Sequence, residues 1–370
     1  MTQRLDVLDL LRGISVLGIL YMNIYYHAVF EIGYSPLIEA PMSDLVIEVI
    51  NAFFIDGRFR TLFCVLFGVG LAILYDKHGQ NNALPLLNAR LKWLLIFGVA
   101  HSVFIFSGDI LINYALAGFL VYKELGNHQA IILKKAKTYF AIGFVVLILL
   151  SLIPSEPIYR GSEEYLAILA EWQAGYGNQL IQQIIFTVIM LVFSLVCFVW
   201  VTAGIVLFGV YLYRSDFFTN GLSQFQLTSV VVVTLVISTA DAVIRVNWPA
   251  LAELNMALAT LSALFCALLY IHIIIKLAKK VSVLKALFAP VGRMAFSLYL
   301  LQSIVFAIFF RYSNIDFVNE ATRIDYLYLC ISFSLVQLAL AGIYLKLFSV
   351  GPVEWLWRKA YNKSLQSVIK

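Results

Sequence analysis

Long apolar stretches separated by short polar turns run the length of this chain. A bilayer-spanning helix takes about 20 apolar residues. Runs of that kind predict helices at about Leu10–Phe30, Arg60–Tyr75, Leu91–Phe106, Asp109–Tyr122 and Tyr139–Ile153. The second half adds Leu191–Tyr213, Thr228–Val246, Leu254–Leu277, Met294–Phe310 and Tyr326–Phe348, which makes about ten spans. The apolar run over Asn178–Arg214 fits either one kinked helix or an amphipathic helix followed by a span. The fourth span is short. Pro154–Gly177, rich in Glu, Tyr and Gly, is the one long loop, with aromatics suited to a membrane interface.

Charge alternates with these spans. Nineteen of the 26 Lys and Arg fall on the N-terminal side of the membrane, against four (Arg160, Arg245, Arg311 and Arg323) in the loops opposite. Basic residues are retained in the cytoplasm, so both termini are expected there. Of 370 residues, 62% are hydrophobic and 13% charged, and the mean hydropathy is +0.90. A soluble domain has about 25% charged residues, so a soluble enzyme and a disordered chain are excluded. The net charge of +5 then reads as topology and not as nucleic-acid binding. Cys64, Cys197, Cys266 and Cys330 sit singly in apolar runs, which suits small hydrophobes; neither a disulfide nor a metal is expected. The first run lacks a small-residue cleavage site and reads as a retained helix. No repeat or linker divides the chain. The expectation is an all-α polytopic bundle forming a single membrane domain over 1–370, with an N-terminal core over about 1–125.

Charged groups at bilayer depth cost at least about 2.5–3.5 kcal/mol and persist where they find partners or line water, so they carry the functional signal. Asp9, Arg12, Asn23 and His27 share one stripe of the first helix, since eleven residues advance a helix to within about 20° of the same face. Such a stripe serves either as helix–helix glue or as the wall of a cavity. Arg90 and His101 repeat the spacing in the third helix. Ser107-Gly108-Asp109 then turns the chain into the fourth, where Asp109 suits an N-cap and His101 should face Asn113 or Tyr114. A lone histidine in an apolar helix is ordinarily a hydrogen-bonded core residue; near Asn113 and level with Asn23, His101 is the best general-base candidate. Arg58 and Arg60 suit an anionic substrate, or pairing with Asp56 and lipid phosphates. Tyr299 and Gln302, three apart in the ninth helix, need partners inside. Asp241 is a lone acid that Arg245 can neutralise. No Walker loop, GxGxxG, GxSxG or HExxH occurs.

Several blocks look familiar. Arg4-Leu-Asp-Val-Leu-Asp9-Leu-Leu-Arg12-Gly13 with Asn23, Asp56-Gly-Arg-Phe-Arg60 with Leu66-Phe-Gly-Val-Gly70, and His101 with Gly108-Asp109 resemble the bacterial YeiB family, a membrane domain of unknown function. Val291-Gly-Arg-Met-Ala, Tyr299-Leu-Leu-Gln302-Ser and Gly351-Pro-Val-Glu-Trp-Leu-Trp357, within a C-terminal signature region over 285–370, resemble it too. That family is grouped with transmembrane acyltransferases, including the acyltransferase-3 proteins and heparan-α-glucosaminide N-acetyltransferase, which share the Leu-Asp-x-x-Arg-Gly entry to the first helix. The resemblance implies a bacterial inner-membrane protein moving an acyl group from cytoplasmic acyl-CoA to an extracytoplasmic hydroxyl or amine, on a sugar or lipid-linked acceptor. One departure stands out: many acyltransferase-3 members carry a catalytic histidine where this chain has Asn23.

The site expected on these grounds has His101 as base, with Asn23, Asn113 and Asp109 as its catalytic companions. Arg12, Arg90 and Arg293 would hold the phosphates of acyl-CoA. Arg58, Arg60, His27, Gln302 and Tyr299 would contact the acceptor. Membrane lipids are the expected surroundings; no nucleic-acid partner and no metal is expected. The rival reading is a transporter or exporter of a small polar or lipid-linked solute that uses the same polar stripe.

Overall fold

In lipid a long apolar segment satisfies its backbone through intrahelical hydrogen bonds, and among the described residues there are helices and turns but no strand. The structure, a computed structural model, describes residues 2–153, 157–248, 251–313 and 316–369. Pro154 and Lys370, and the side chain of Arg4, lie outside the described residues. In chain order the helices are α1 (Thr2–Asn23), α2 (Met42–Phe54), α3 (Arg58–Phe104), α4 (Leu111–Val121), α5 (Gln129–Leu150), α6 (Glu163–Gln173), α7 (Tyr176–Phe193) and α8 (Val199–Arg214). There follow α9 (Phe217–Asn220), α10 (Gln224–Asn247), α11 (Ala252–Lys280), α12 (Ser282–Arg293), α13 (Ala295–Ile308), α14 (Phe317–Glu320), α15 (Arg323–Leu347) and α16 (Pro352–Ile369). Among the described residues, seven stretches are long and apolar enough to cross a membrane.

One of the seven, Met42–Phe104, takes in α2 and both limbs of α3. Gly79, at φ 70°, breaks α3, a conformation that glycine adopts at little cost. The limbs 58–78 and 80–104 fold back on each other, so Phe63 and Phe67 of the first share a cavity wall with Leu94 of the second. The stretch Tyr176–Arg214 is likewise continuous: a π-helical turn over Ser194–Phe198 joins α7 to α8. The fourth expected span is the 11-residue α4, extended by a 3-10 turn over Tyr122–Gly126. In the long loop, Tyr165 and Trp172 of α6 lie buried in a cluster with Tyr25, Phe310 and Tyr326, while Tyr159 and Tyr176 are exposed. Tyr34 closes the same region. It donates to the Asp44 carboxylate and lies under the Arg323 guanidinium, 4.2 Å from its ring centre; burial and that carboxylate push its phenol pKa up.

Helix contacts here depend on small residues, as is usual where lipid removes the hydrophobic drive. α1 packs closely on α12. A Cβ on Gly13 would stand 2.0 Å from the Phe288 carbonyl oxygen, and one on Gly292 would stand 1.8 Å from that of Asp9. Two blocks of the sequence signature thus meet backbone to backbone. The C-terminal block is a clamp. Glu354 of α16 accepts from the backbone N–H of Phe296 and Ser297 at 2.8 and 3.1 Å, capping α13. Ser297 donates its hydroxyl to the same carboxylate.

Gly292→Ala should therefore destabilise the bundle by about 1–3 kcal/mol or more, the cost of overpacking against backbone that cannot yield. Thermal unfolding in detergent measures it, and a midpoint equal to wild type would contradict the close crossing.

Candidate functional site

α3 ends one turn after His101, whose carbonyl accepts from the N–H groups of both Ile105 and Phe106. The chain turns through Ser107-Gly108 and starts α4, which brings an acid back against the histidine. His101 Nδ1 lies 2.7 Å from Asp109 Oδ1, with the two side chains 1% and 0% exposed. The other carboxylate oxygen accepts from the Ile112 N–H at 2.8 Å, so Asp109 caps α4 while it orients the imidazole. With the carboxylate ionised, Nδ1 carries the proton and Nε2 presents a lone pair; Nε2 is buried without a hydrogen-bond partner. Gly98 leaves the room for this. A Cβ there would stand 3.0 Å from Asp109 Oδ2 and 2.8 Å from the Ile112 nitrogen. Tyr299 packs on the imidazole with ring centres 5.3 Å apart, and its hydroxyl accepts a long 3.4 Å bond from the Ile110 N–H.

Two cavities of opposite character adjoin this pair. One, about 130 Å³, is lined by apolar side chains and two aromatic polar ones, from Trp357 through Phe296, Phe63 and Leu94 to Tyr299. The other, about 120 Å³, is lined by Arg60, Ser102, Ser107, Asp109, Asn113, Thr187 and Thr202, among others. Ile110 and Tyr114 belong to the walls of both. An apolar and a hydroxyl-rich chamber thus meet at the first turn of α4, beside the His101–Asp109 pair.

At the basic end, Arg12 pairs with Asp9 at 2.9 Å and keeps about a third of its side chain exposed. Arg90 is held in place by α16. Its guanidinium lies over Trp357 at 4.2 Å and Tyr361 at 4.9 Å and donates to the Tyr361 hydroxyl at 3.0 Å. Arg293 donates to the Ser349 carbonyl at 3.0 Å. The Arg12 charge is felt at Arg90 and that of Arg293 at Asp9, so one end of the bundle gathers all three.

Other expected site residues lie elsewhere or are engaged. His101 faces Asp109, whereas Asn113 points to α7 and α8, donating to Thr202 at 2.7 Å and accepting from Ser194 at 2.9 Å. α1 ends at Asn23, and His27 follows a 3-10 turn over Ile24–Tyr26, so the expected four-residue stripe breaks after Asn23. The reason is packing: Tyr25 turns into the aromatic cluster with Tyr34 and Tyr326. Asn23 is buried and makes no side-chain hydrogen bond among the described residues. His27 lies against Phe106, ring centres 4.3 Å apart, with Nδ1 unpartnered. Gln302 joins helices, donating to the Val16 carbonyl and to Gln337, both at 3.0 Å.

The two arginines of Asp56-Gly-Arg-Phe-Arg60 separate completely. Arg58 is fully buried and donates to the Asp56 and Ala52 carbonyls and to the hydroxyls of Ser238 and Ser262 at 3.1 and 2.6 Å. It ties α3 to α10 and α11. Asp56 itself pairs with Arg245 at 2.7 Å, and Arg245 also neutralises Asp241 at 3.0 Å. Arg60, two residues on, makes no side-chain hydrogen bond or ion pair among the described residues and lines the polar cavity. Sequence reasoning missed Arg311, buried in a π-helical turn over Trp172 with Nε and one terminal nitrogen unpartnered. Its signal was a cation directly following Phe306-Ala-Ile-Phe-Phe310, with no polar residue between.

Arg58→Ala should cost several kcal/mol, since two carbonyls and two hydroxyls lose a buried charged donor, while Arg60→Ala should cost less than about 1 kcal/mol. Paired thermal melts in detergent check this; equal losses would contradict the division of roles.

Residues 212–364 match a family model described as "Protein of unknown function (DUF418)". The chain is similar to the uncharacterized protein YeiB of Escherichia coli (strain K12), 28% identical over 96% of each chain. It is similar also to the uncharacterized protein YxaH of Bacillus subtilis (strain 168), 27% identical over 100% of this chain and 96% of that one. A third relative is an uncharacterized 39.9 kDa protein in the amylase 3' region of Bacillus acidopullulyticus, 27% identical over 100% of this chain and 97% of that protein. No solved structure matches. The family match lies in the C-terminal part, and the likeness to YeiB and YxaH runs end to end along this helical, membrane-like chain.

Proposed function

We propose that this protein is an inner-membrane acyltransferase, with both termini cytoplasmic, that passes an acyl group from cytoplasmic acyl-CoA to a hydroxyl or amine on the opposite side. The observation that carries the reading is the meeting of an apolar and a polar cavity at Ile110 and Tyr114, beside a buried His–Asp pair. The apolar cavity starts at Trp357, next to Arg90, and ends at Tyr299, next to His101. An acyl chain fits that lining, and Arg12, Arg90 and Arg293 suit the phosphates of the donor. When bound, the donor supplies an electrophilic thioester carbonyl.

The chain's own groups would do the rest. His101 Nε2, the free nitrogen of the pair, takes the proton of the acceptor as its oxygen or nitrogen bonds to the carbonyl carbon, and returns it to the CoA sulfur as the S–C bond breaks. Asp109 holds the tautomer and stabilises the imidazolium. The Tyr299 hydroxyl has its proton available, since its one described bond is as acceptor; it borders both the apolar cavity and the imidazole, where a donor to the developing oxyanion is needed. The basic end faces the cytoplasm in this reading because the Lys and Arg bias places it there.

His101→Gln, which keeps a hydrogen-bond donor for Asp109, should lower acyl transfer by about 10²–10⁴-fold with the fold intact. The assay is mass spectrometry of acylated product from proteoliposomes given acyl-CoA and membrane extract. Full activity in this variant, or movement of solute without a modified product, would overturn the proposal. Ala295→Phe, which fills the apolar cavity, should shift the preference towards shorter acyl chains.

A further inference from the structure

Of Arg58, Arg60, Arg160, Arg245 and Arg323, four meet acceptors within the chain. Arg58 is bound by carbonyls and hydroxyls, and Arg245 by Asp56 and Asp241. Arg160 donates to three carbonyls, and Arg323 pairs with Glu48. Arg60 alone of these five meets no acceptor among the described residues, and it lines the polar cavity. A half-buried guanidinium with no internal acceptor, at the wall of a polar cavity, is free to take a counter-charge that the chain does not itself provide.

The rest of the cavity agrees. The Ser107 hydroxyl, on a side chain 2% exposed, lines it and has no hydrogen-bond partner. Ser102 and Thr187 bond to each other at 2.8 Å, and Thr61 and Thr260 add further hydroxyls. Asp109, two residues on from Ser107 in the same turn, also lines the cavity, with its carboxylate held by His101 at 2.7 Å. A ligand with an oxyanion and a separate hydroxyl is oriented by this arrangement: the anion on Arg60 and Ser107, the hydroxyl towards the His–Asp pair. The volume, about 120 Å³, is several times the space one water requires, enough for a small polar headgroup.

We infer that this cavity binds a phosphorylated polyol, through its phosphate on Arg60 and Ser107. The inference rests on the acyltransferase reading for its role as acceptor site, but the binding stands by itself. A soluble polyol phosphate and the headgroup of an anionic lipid share this chemistry.

The test uses the purified full-length chain in dodecyl maltoside. Its unfolding midpoint is titrated with sn-glycerol 3-phosphate, with glycerol, and with sodium chloride at matched ionic strength. The expected result is a saturable rise with glycerol 3-phosphate alone, weakened by roughly tenfold or more in Arg60→Gln and several-fold in Ser107→Ala, and kept in Lys280→Gln, a change on the exposed end of α11. Should Arg60→Gln not fold, Arg60→Lys keeps the charge but loses the bidentate fork, and reduced affinity is then expected. Equal shifts with all three solutes, or an unchanged affinity in the Arg60 variant, would overturn the inference. Nanodiscs of phosphatidylcholine with and without phosphatidylglycerol separate the sources. Competition by phosphatidylglycerol in wild type identifies a lipid headgroup, and an undiminished response identifies a soluble ligand. Glycerol 3-phosphate binding without any acylated product would remove the acyltransferase reading and leave the anion site. Acylation of an uncharged acceptor at equal rates in wild type and Arg60→Gln would do the reverse.

Discussion

A carboxylate buried in an apolar bundle has to have both of its oxygens met, and Asp109 meets this demand with an imidazole on one side and a helix N-terminus on the other. Much of the surroundings follows. Gly98 has to be glycine for the carboxylate and the Ile112 nitrogen to come so close. Ser107-Gly108 has to turn tightly enough to return the acid to the histidine. Because Asp109 takes Nδ1, the free nitrogen of His101 is Nε2. Because Asp109 starts α4, the first turn of that helix, with Ile110 and Tyr114, becomes the partition between the two cavities.

The same constraint explains how the other intramembrane charges divide. Arg58, Arg245, Asp56 and Asp241 form a local group in which each charge has a partner or a set of dipoles, and a group of this kind holds helices together. Arg90 is stabilised on two aromatic faces, which fixes a cation without neutralising it. Arg60 has neither arrangement. Two arginines separated by one residue therefore point to opposite sides of α3 and have different work: one sews α10 and α11 to the bundle, the other equips a cavity.

The signature blocks of the sequence have unequal meanings in space. Gly13 and Gly292 allow two backbones to cross, and Glu354 caps the helix that carries Tyr299. These residues act on the site through architecture. His101, Asp109 and Tyr299 form the candidate site itself.

Apolar run length and the placement of Lys and Arg were enough, from sequence, to identify an all-α membrane bundle, because each run has to bury its own backbone bonds and each charge has to avoid lipid. The pairing of Asp241 with Arg245 and the capping role of Asp109 were legible for the same reason: both are local, within four residues on a helix. Local spacing could not reveal that Asn113 bonds to Ser194 and Thr202, that Gln302 reaches α1 and α15, or that Arg58 reaches Ser238 and Ser262 while Arg60 meets no acceptor among the described residues, since those partners lie tens to hundreds of residues away. Nor could it show that Tyr25 would break the polar stripe of α1 by joining an aromatic cluster. Hydropathy assigns a residue to the membrane; only the packing of one helix against another decides which partner it finds there, and so whether it holds the bundle together or faces a cavity.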